Sequence, residues 1–387
     1  MGSAMEIPGV ILCVVGARPN YMKMAPLLRA FRAHPALPRS ALVHTGQHYD
    51  PMLNGRLFED LELPPPDVNL GVGSGTHAAQ TAEVIRRFEP VLDDYRPSCV
   101  VVVGDVNSTL ACSLVAAKKR VPVAHVEAGL RSFDPAMPEE INRVLTDRLS
   151  EILYTTERSA HANLAREGIP ADRIQFVGNV MIDSLLSHRA RAIPPAETLR
   201  RAGVPADFLG SPPRFGVVTL HRPSNVDRRE PLAGSLEILR AVAERLPLVC
   251  ALHPRTMANV ATFGLAGLLE SARLRILPPQ GYLEMLGLMQ AAALVLTDSG
   301  GMQEETTALA VPCLTMRENT ERPITVEQGT NTLVGRDRER ILALVDEILA
   351  TGGKRGRTPE LWDGHAAERI AAHLARWLAA RPAPVQP

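Results

Sequence analysis

The chain has 387 residues, too many for one ordinary hydrophobic core, so two domains are expected. Lysine plus arginine equals aspartate plus glutamate at 42 each, which leaves no global field to gather nucleic acid or an anionic membrane. Two tryptophans and five tyrosines offer little stacking surface for a nucleic acid or a polysaccharide, and no apolar run approaches the ~18 residues of a membrane span. Cys13, Cys99, Cys112, Cys250 and Cys313 are odd in number, scattered and set in apolar segments, and they read as reduced core thiols of a cytoplasmic protein. The start lacks the charged-then-apolar pattern of a signal peptide, and Met1 to Ala4 resembles an expression scar outside the fold.

Val10 to Val15 is the first buried strand, followed by a turn at Gly16-Ala17-Arg18-Pro19-Asn20 and a helical pattern from Met22 to His34. This opening lacks the GxGxxG of a dinucleotide site, and Pro26 implies that the helix begins near it or kinks there. Leu42 to Thr45 is a short strand ending in Gln47-His48-Tyr49-Asp50. Pro64 to Pro66 and Gly71 to Gly75 bound a loop, and His77 to Leu92 has amphipathic helical spacing. Val100 to Val103, a helix over Thr109 to Lys119, and Val121 to Val126 then form a strand-helix-strand unit whose strands should be parallel. Asp105 and Glu127 fall just beyond the carboxyl ends of those strands, the edge at which open parallel sheets bind ligands. Pro138-Glu139-Glu140 opens a further helix, for which the series Ile141, Leu145, Leu149, Ile152 predicts the buried face. Ile152 to Thr155 and Ile174 to Val177 are strands around a helix at His161 to Glu167, and Arg189 to Pro195 reads as the linker.

The second half repeats the alternation, with strands at Phe215 to Leu220, Leu246 to Leu252, Leu274 to Leu277 and Ala292 to Thr297. Their ends carry His221-Arg222, His253-Pro254-Arg255 and Asp298-Ser299-Gly300-Gly301. The expected fold is therefore α/β, two Rossmann-like domains with parallel sheets whose polar edges face a cleft. The expected bounds are 5–180 and 196–365, with helices at Ile341 to Ala350 and at 366–380, the last packing back on the first domain.

Ser299-Gly300-Gly301 follows a strand and opens a helix, so its bare amides suit an anion, and Glu305 one turn later would suit ribose hydroxyls if that anion is a nucleotide diphosphate. Arg18, Lys23, Arg143, Arg222 and Arg322 supply cations from both halves. There is no Walker motif, no Cys/His metal spacing, no HExxH and no GxSxG, so neither a metal nor a serine nucleophile is demanded. Each acid also has a plainer reading: Asp105 as a residue near a helix N-cap, Glu139 and Glu140 as complements to a helix dipole. Glu127 is hardest to dismiss, because an acid ending an apolar strand is poorly solvated unless partnered. His221, at a strand end, can meet a phosphate or move a proton; His48 and His253 are weaker candidates, and His125 fits a satisfied core histidine.

These residues resemble one family over nearly the whole chain, the non-hydrolysing UDP-N-acetylglucosamine 2-epimerases. The landmarks are GARPNYMKMAPL at Gly16, GDVNSTLA at Gly104, HVEAGLRS at His125, PEEINR at Pro138, GNVMIDSL at Gly178, LHR at Leu220, LTDSGGMQEE at Leu296 and ENTERP at Glu318. The resemblance implies a GT-B architecture, with a sugar-side first domain and a UDP-binding second one. It implies C2 epimerisation of UDP-GlcNAc to UDP-ManNAc by elimination and re-addition of UDP through a 2-acetamidoglucal intermediate. No cofactor or metal is implied, and the protein would be a cytoplasmic homodimer serving cell-surface polysaccharide synthesis, with no nucleic-acid or membrane partner. By motif matching, Asp105, Glu127, Glu139 and His221 would be catalytic, and Arg18, Lys23, Arg143, Ser299, Gly300, Gly301, Glu305 and Arg322 would bind substrate.

Removing a C2 proton that is not adjacent to a carbonyl requires coupling to departure of the diphosphate, and inversion requires proton transfer on both faces, so at least two acid/base groups are expected. A hydrolysing epimerase, a GT-B glycosyltransferase and a nucleotide-sugar sensor remain open. The chain departs from the family at Ser224, where a glutamate is usual, at Met285, where an aromatic is usual near the uracil, and after Gln47-His48, a segment tied in some relatives to activation by a second substrate molecule.

Overall fold

The computed structural model describes residues 9–47, 51–210 and 212–381, with only the backbone described for 51–54 and 206. The chain divides into two compact units, Met1–Ser187 together with Glu360–Pro387, and His188–Pro359. The first comprises β1 (Ile11–Val15), α1 (Arg18–Ala33), β2 (Ser40–His44), α2 (Pro51–Asp60), β3 (Val68–Asn69), α3 (His77–Tyr95) and β4 (Cys99–Val103). It continues through α4 (Asn107–Lys118), β5 (Val123–Val126), α5 (Pro138–Leu149), β6 (Ile152–Thr155), α6 (Ser159–Arg166), β7 (Ile174–Phe176) and α7 (Val180–His188). Its seven-stranded parallel sheet has the order β3-β2-β1-β4-β5-β6-β7. Every residue of β1, β4, β5 and β6 is buried, which is why β1 and β4 read as unbroken apolar runs and β5 and β6 as mostly apolar ones.

The second unit holds α8 (Pro195–Arg201), β8 (Gly216–Thr219), α9 (Pro223–Val226), α10 (Arg229–Ala243), β9 (Leu248–Cys250), α11 (Pro254–Thr262), β10 (Leu274–Ile276) and α12 (Tyr282–Ala291). β11 (Leu294–Thr297), α13 (Gly300–Leu309), β12 (Cys313–Thr315), α14 (Pro323–Glu327), β13 (Asn331–Leu333) and α15 (Arg338–Thr351) follow. Its six parallel strands run β10-β9-β8-β11-β12-β13. Aliphatic residues of α10 and α15, among them Leu236, Leu239, Ile341 and Val345, pack with those of β8, β9 and β11 in one core. The final helix, α16 (Ala366–Ala379), belongs to the first unit and packs on α1.

Several sequence expectations are corrected. The first helix begins at Arg18, with Pro19 in its first turn and Pro26 inside it. α2, β12 and β13 carry no strong apolar periodicity and escape a reading by pattern alone. The largest correction concerns α5: Ile141 and Leu145 are 51% and 45% exposed, while Glu140, Asn142, Arg143, Thr146 and Asp147 are buried. That helix turns its polar side inward because the polar groups at the ends of β4 and β5 need partners there. His48, Tyr49 and Asp50 lie outside the described residues.

α16 is fastened by Asp183 on α7, buried, whose carboxylate accepts the amides of Ala366 at 3.2 Å and Ala367 at 2.7 Å. Burial pushes the Asp183 carboxyl up, and the two amides counter it. Asp183→Ala should cost about 1–2 kcal/mol by orphaning those amides, read as a lower urea midpoint for the first unit. An unchanged midpoint would mean that the apolar face of α16 holds it unaided.

Candidate active site

In the first unit the candidate residues gather where the strand order reverses, between β1 and β4, and at the neighbouring end of β5. This is the position at which open α/β sheets form crevices. The turn after β1 is held by Asn20, whose Oδ1 accepts the amides of Gly16 and Ala17 while its Nδ2 donates to Val103 O at 3.0 Å. Arg18, half-buried, starts α1. One turn further on, Lys23 reaches the end of β5, and its Nζ donates to Glu127 Oε1 at 2.7 Å. The two side chains are 4% and 2% exposed. Glu127 has φ 75°, a left-handed backbone that costs a non-glycine residue roughly 1–3 kcal/mol and that clusters at functional sites. Gly104 has φ +67°, and a Cβ there would stand 2.8 Å from Lys23 Nζ, so only glycine lets the lysine cross to Glu127.

Asp105 follows Gly104 and directly precedes Val106, the N-cap of α4, so it lies near the cap, as expected, without being the capping residue. Its carboxylate instead accepts from Arg143 Nε at 3.0 Å, and Arg143 also pairs with Glu140. Asn142 Nδ2 donates to the Asp105 carbonyl at 2.9 Å. Glu140 is more than a dipole complement: it accepts from the Ser132 and Phe133 amides at 3.0 and 2.9 Å and so ties the loop after β5 to α5. Glu139, half-buried, lies beside it in the first turn.

His125 is satisfied and wholly buried, with Nδ1 2.6 Å from Asp147 and Nε2 2.8 Å from the Gly104 carbonyl. Asp147 also accepts from Arg131 at 2.7 Å and from the Gly129 amide at 3.0 Å. Burial opposes ionisation of Asp147, but His125 and Arg131 overcome it and hold the carboxyl below its ordinary range. This brace beneath Gly104 and Asp105 carries no spacing signature and was missed in the sequence.

The second unit repeats the placement. Between β8 and β11 its strand order reverses, and there His221 follows β8 while Asp298 and Ser299 follow β11. Ser299 is the N-cap of α13, with Gly300 and Gly301 as its first helical residues. A Cβ on Gly300 would lie 2.6 Å from Glu321 and 2.8 Å from Arg322, so a side chain there would crowd that pair.

Arg322 is not a spare cation. Its Nη1 lies 2.6 Å from Glu321 and its Nε 2.9 Å from Glu304; Glu321 is also met by Arg317 at 2.7 Å and by Arg222 at 3.6 Å. Burial alone would raise the Glu321 carboxyl, but the arginines drive it well below its usual value. Glu305, one turn into α13, is pushed up to about 7 by burial, with Glu304 adding and Tyr282 opposing. His253 is a helix cap, its Nδ1 accepting the Arg255 amide at 3.2 Å. Met285 packs against the core of the second unit, and Ser224 is exposed in α9.

Three arginines around Glu304 and Glu321, beside glycine amides at a helix start, suit a diphosphate. Two carboxylates, Asp105 and Glu127, at the ends of the adjacent strands β4 and β5 suit proton transfer.

A family model described as UDP-N-acetylglucosamine 2-epimerase matches residues 29–375. The chain is 41% identical over 369 residues to the UDP-N-acetylglucosamine 2-epimerase of Methanocaldococcus jannaschii, covering 93% of this chain and 97% of that one. It is 40% identical to the UDP-2,3-diacetamido-2,3-dideoxy-D-glucuronate 2-epimerase of Pseudomonas aeruginosa, covering 95% and 99%. Among solved structures it resembles the M. jannaschii UDP-GlcNAc 2-epimerase in complex with UDP-GlcNAc and UDP, with TM-score 0.85, 40% identity and coverage of 95% and 99%.

A carboxyl raised from 4.5 to about 7 on folding binds a proton in the native state that the unfolded chain has already lost. Its stabilising contribution is therefore full below 4.5 and is lost as pH rises through about 7. Glu305→Gln should remove that slope, so the variant gains on the wild type by roughly 3 kcal/mol between those limits. Urea unfolding across that range checks it, and parallel pH profiles would refute it.

Proposed function

The chain belongs to the UDP-N-acetylglucosamine 2-epimerase family, and from that premise we propose that it interconverts UDP-GlcNAc and UDP-ManNAc without releasing free sugar. In this reading the first unit works on the sugar and the second holds UDP. The observation that carries it is Glu127, a buried carboxylate in a left-handed backbone conformation, ion-paired to Lys23 at a sheet edge shared with Asp105.

One carboxylate takes the C2 proton as the C1–O bond to UDP breaks, and the electron pair of the C–H bond becomes the C1=C2 bond of 2-acetamidoglucal. A second acid then protonates C2 on the opposite face, and a phosphate oxygen of UDP closes the bond at C1. The electrons balance within the substrate, while the first carboxylate ends protonated and the second ionised, and proton exchange with solvent restores both for the next turnover. Asp105, Glu127 and Glu139 are the proton carriers of this scheme, and His221 assists at the leaving diphosphate.

Arg18, Lys23 and Arg143 bind on the sugar side, and Lys23 and Arg143 set the charge of the acids they touch. Ser299, Gly300, Gly301 and Arg322 hold the diphosphate, whose developing charge they stabilise as it leaves, and Glu305 receives the ribose hydroxyls. Five free, buried cysteines suit a reducing cytoplasm. The same reading makes the enzyme a homodimer that supplies cell-surface polysaccharide synthesis.

A second substrate is favoured by a specific observation: the chain is 41% identical to a UDP-GlcNAc epimerase and 40% identical to one named for a diacetamido glucuronate. Incubation of the purified protein with each nucleotide sugar alone, followed by proton NMR of C2, separates the readings. With UDP-GlcNAc, UDP-ManNAc should appear and take up deuterium at C2 in deuterated water. Free ManNAc accumulating in step with UDP would sink the non-hydrolysing scheme, and turnover of the glucuronate alone would reassign the substrate.

Glu127→Gln should lower C2 exchange by about 100-fold or more while leaving UDP affinity nearly intact, since proton transfer is worth about 10² to 10⁴ in rate. Near-normal exchange would remove Glu127 from the mechanism.

A further inference from the structure

Asp298 is fully buried at the end of β11, and its two carboxylate oxygens are surrounded by donors. They accept the His221 amide at 3.1 Å, the Arg222 amide at 2.9 Å and Asn225 Nδ2 at 3.1 Å. His221 Nδ1 lies 3.0 Å from Asp298 Oδ1. Asn225 is anchored in turn, since its Nδ2 also donates to Met316 O at 3.0 Å. The His221 side chain is 41% exposed, so a ring braced at one nitrogen presents the other outward.

We infer that Asp298 is a positioning residue for His221, fixing both the place of the imidazole and which of its nitrogens carries the proton. The inference rests on the epimerase reading for what His221 does, but its geometric core is independent of that reading. A carboxylate only accepts, so Nδ1 must donate and the outward Nε2 of the neutral ring is left with its lone pair. That is the nitrogen able to take a proton from a substrate group or, once charged, to face a leaving phosphate.

Two features make Asp298 suited to the task. It stays ionised although buried: burial would raise its pKa, and the His221 ring and backbone donors bring it below the ordinary value. It also sits on the strand next to β8, with Thr297 paired in register with Thr219, so the base and its bracket are fixed by one ladder. Ring and bracket come from adjacent strands at the reversal of strand order, not from one flexible loop.

Asp298 also orders the turn after β8, so loss of activity on its removal would not by itself separate positioning from scaffolding. Asp298→Asn keeps the shape and one acceptor oxygen, but it can turn an amide donor toward Nδ1 and select the opposite tautomer, as in the serine-protease triad. Long-range proton–nitrogen NMR of the histidines, with His221 assigned through His221→Asn, reads the tautomer directly in alkaline buffer.

The wild type should carry the proton on Nδ1, and Asp298→Asn should move it to Nε2. An Nε2-protonated wild type would overturn the proposal whether or not any variant folds. In turnover, Asp298→Asn should lower kcat by about 100-fold or more with little change in KM. In the His221→Asn background the same change should cost less than about threefold, because no ring remains to orient. An equal loss in both backgrounds would make Asp298 a scaffold residue only. Failure of the wild type to epimerise either nucleotide sugar would defeat the functional reading, while the tautomer would still decide the dyad.

Discussion

A charge at the end of a covered strand cannot stand alone. Removing a carboxylate from water costs several kcal/mol even after relaxation, so each acid at these sheet edges must be met by a cation or a set of donors. Lys23 meets Glu127, Arg143 meets Asp105 and Glu140, and Arg317 and Arg322 meet Glu321. Much of the local structure follows from those meetings. Gly104 is bare so that Lys23 can cross it, a side chain at Gly300 would crowd Glu321 and Arg322, and α5 turns its polar side inward.

The two edges share a topology but differ in their electrostatics. In the first unit Lys23 meets Glu127 alone, while Arg143 is shared between Asp105 and Glu140. In the second, arginines converge on Glu321 and hold it far below its usual range, whereas Glu305, buried beside Glu304, is pushed up to about 7. Two carboxyls of one unit driven in opposite directions differ in charge near neutrality, Glu321 held ionised and Glu305 poised to carry a proton. The brace of His125, Asp147 and Arg131 is a further layer: it meets the site at the Gly104 carbonyl and fixes the turn that carries Asp105.

Legibility in the sequence followed burial. β1, β4 and β5 are covered on both faces and announce themselves as apolar runs, so the acids at their ends could be located by position alone. β12 and β13 are three residues each and include Thr315 and Asn331, too short and too mixed to stand out. α5 misled for a physical reason: a helix pattern presumes an apolar interior, and this helix faces a polar one, leaving Ile141 and Leu145 in the open.

The order of residues by itself determined two parallel α/β units, the strand ends at which chemistry-bearing groups stand, and, through motifs spread over nearly the whole chain, the family. It also placed Gly300 and Gly301 at a helix start. Only the tertiary structure decided who partners whom. His221 and Asp298 are 77 positions apart, joined because the adjacent parallel strands β8 and β11 bring their carboxyl ends together, and Lys23 and Glu127 are 104 apart, joined because the lysine reaches past the end of β4, which lies between β1 and β5. It likewise decided that Glu127 adopts a left-handed backbone and that Glu140 is a hub rather than a helix ornament. Propensity and periodicity describe near neighbours in the chain, whereas the pairing of buried charges is a condition on neighbours in space, and folding alone supplies those.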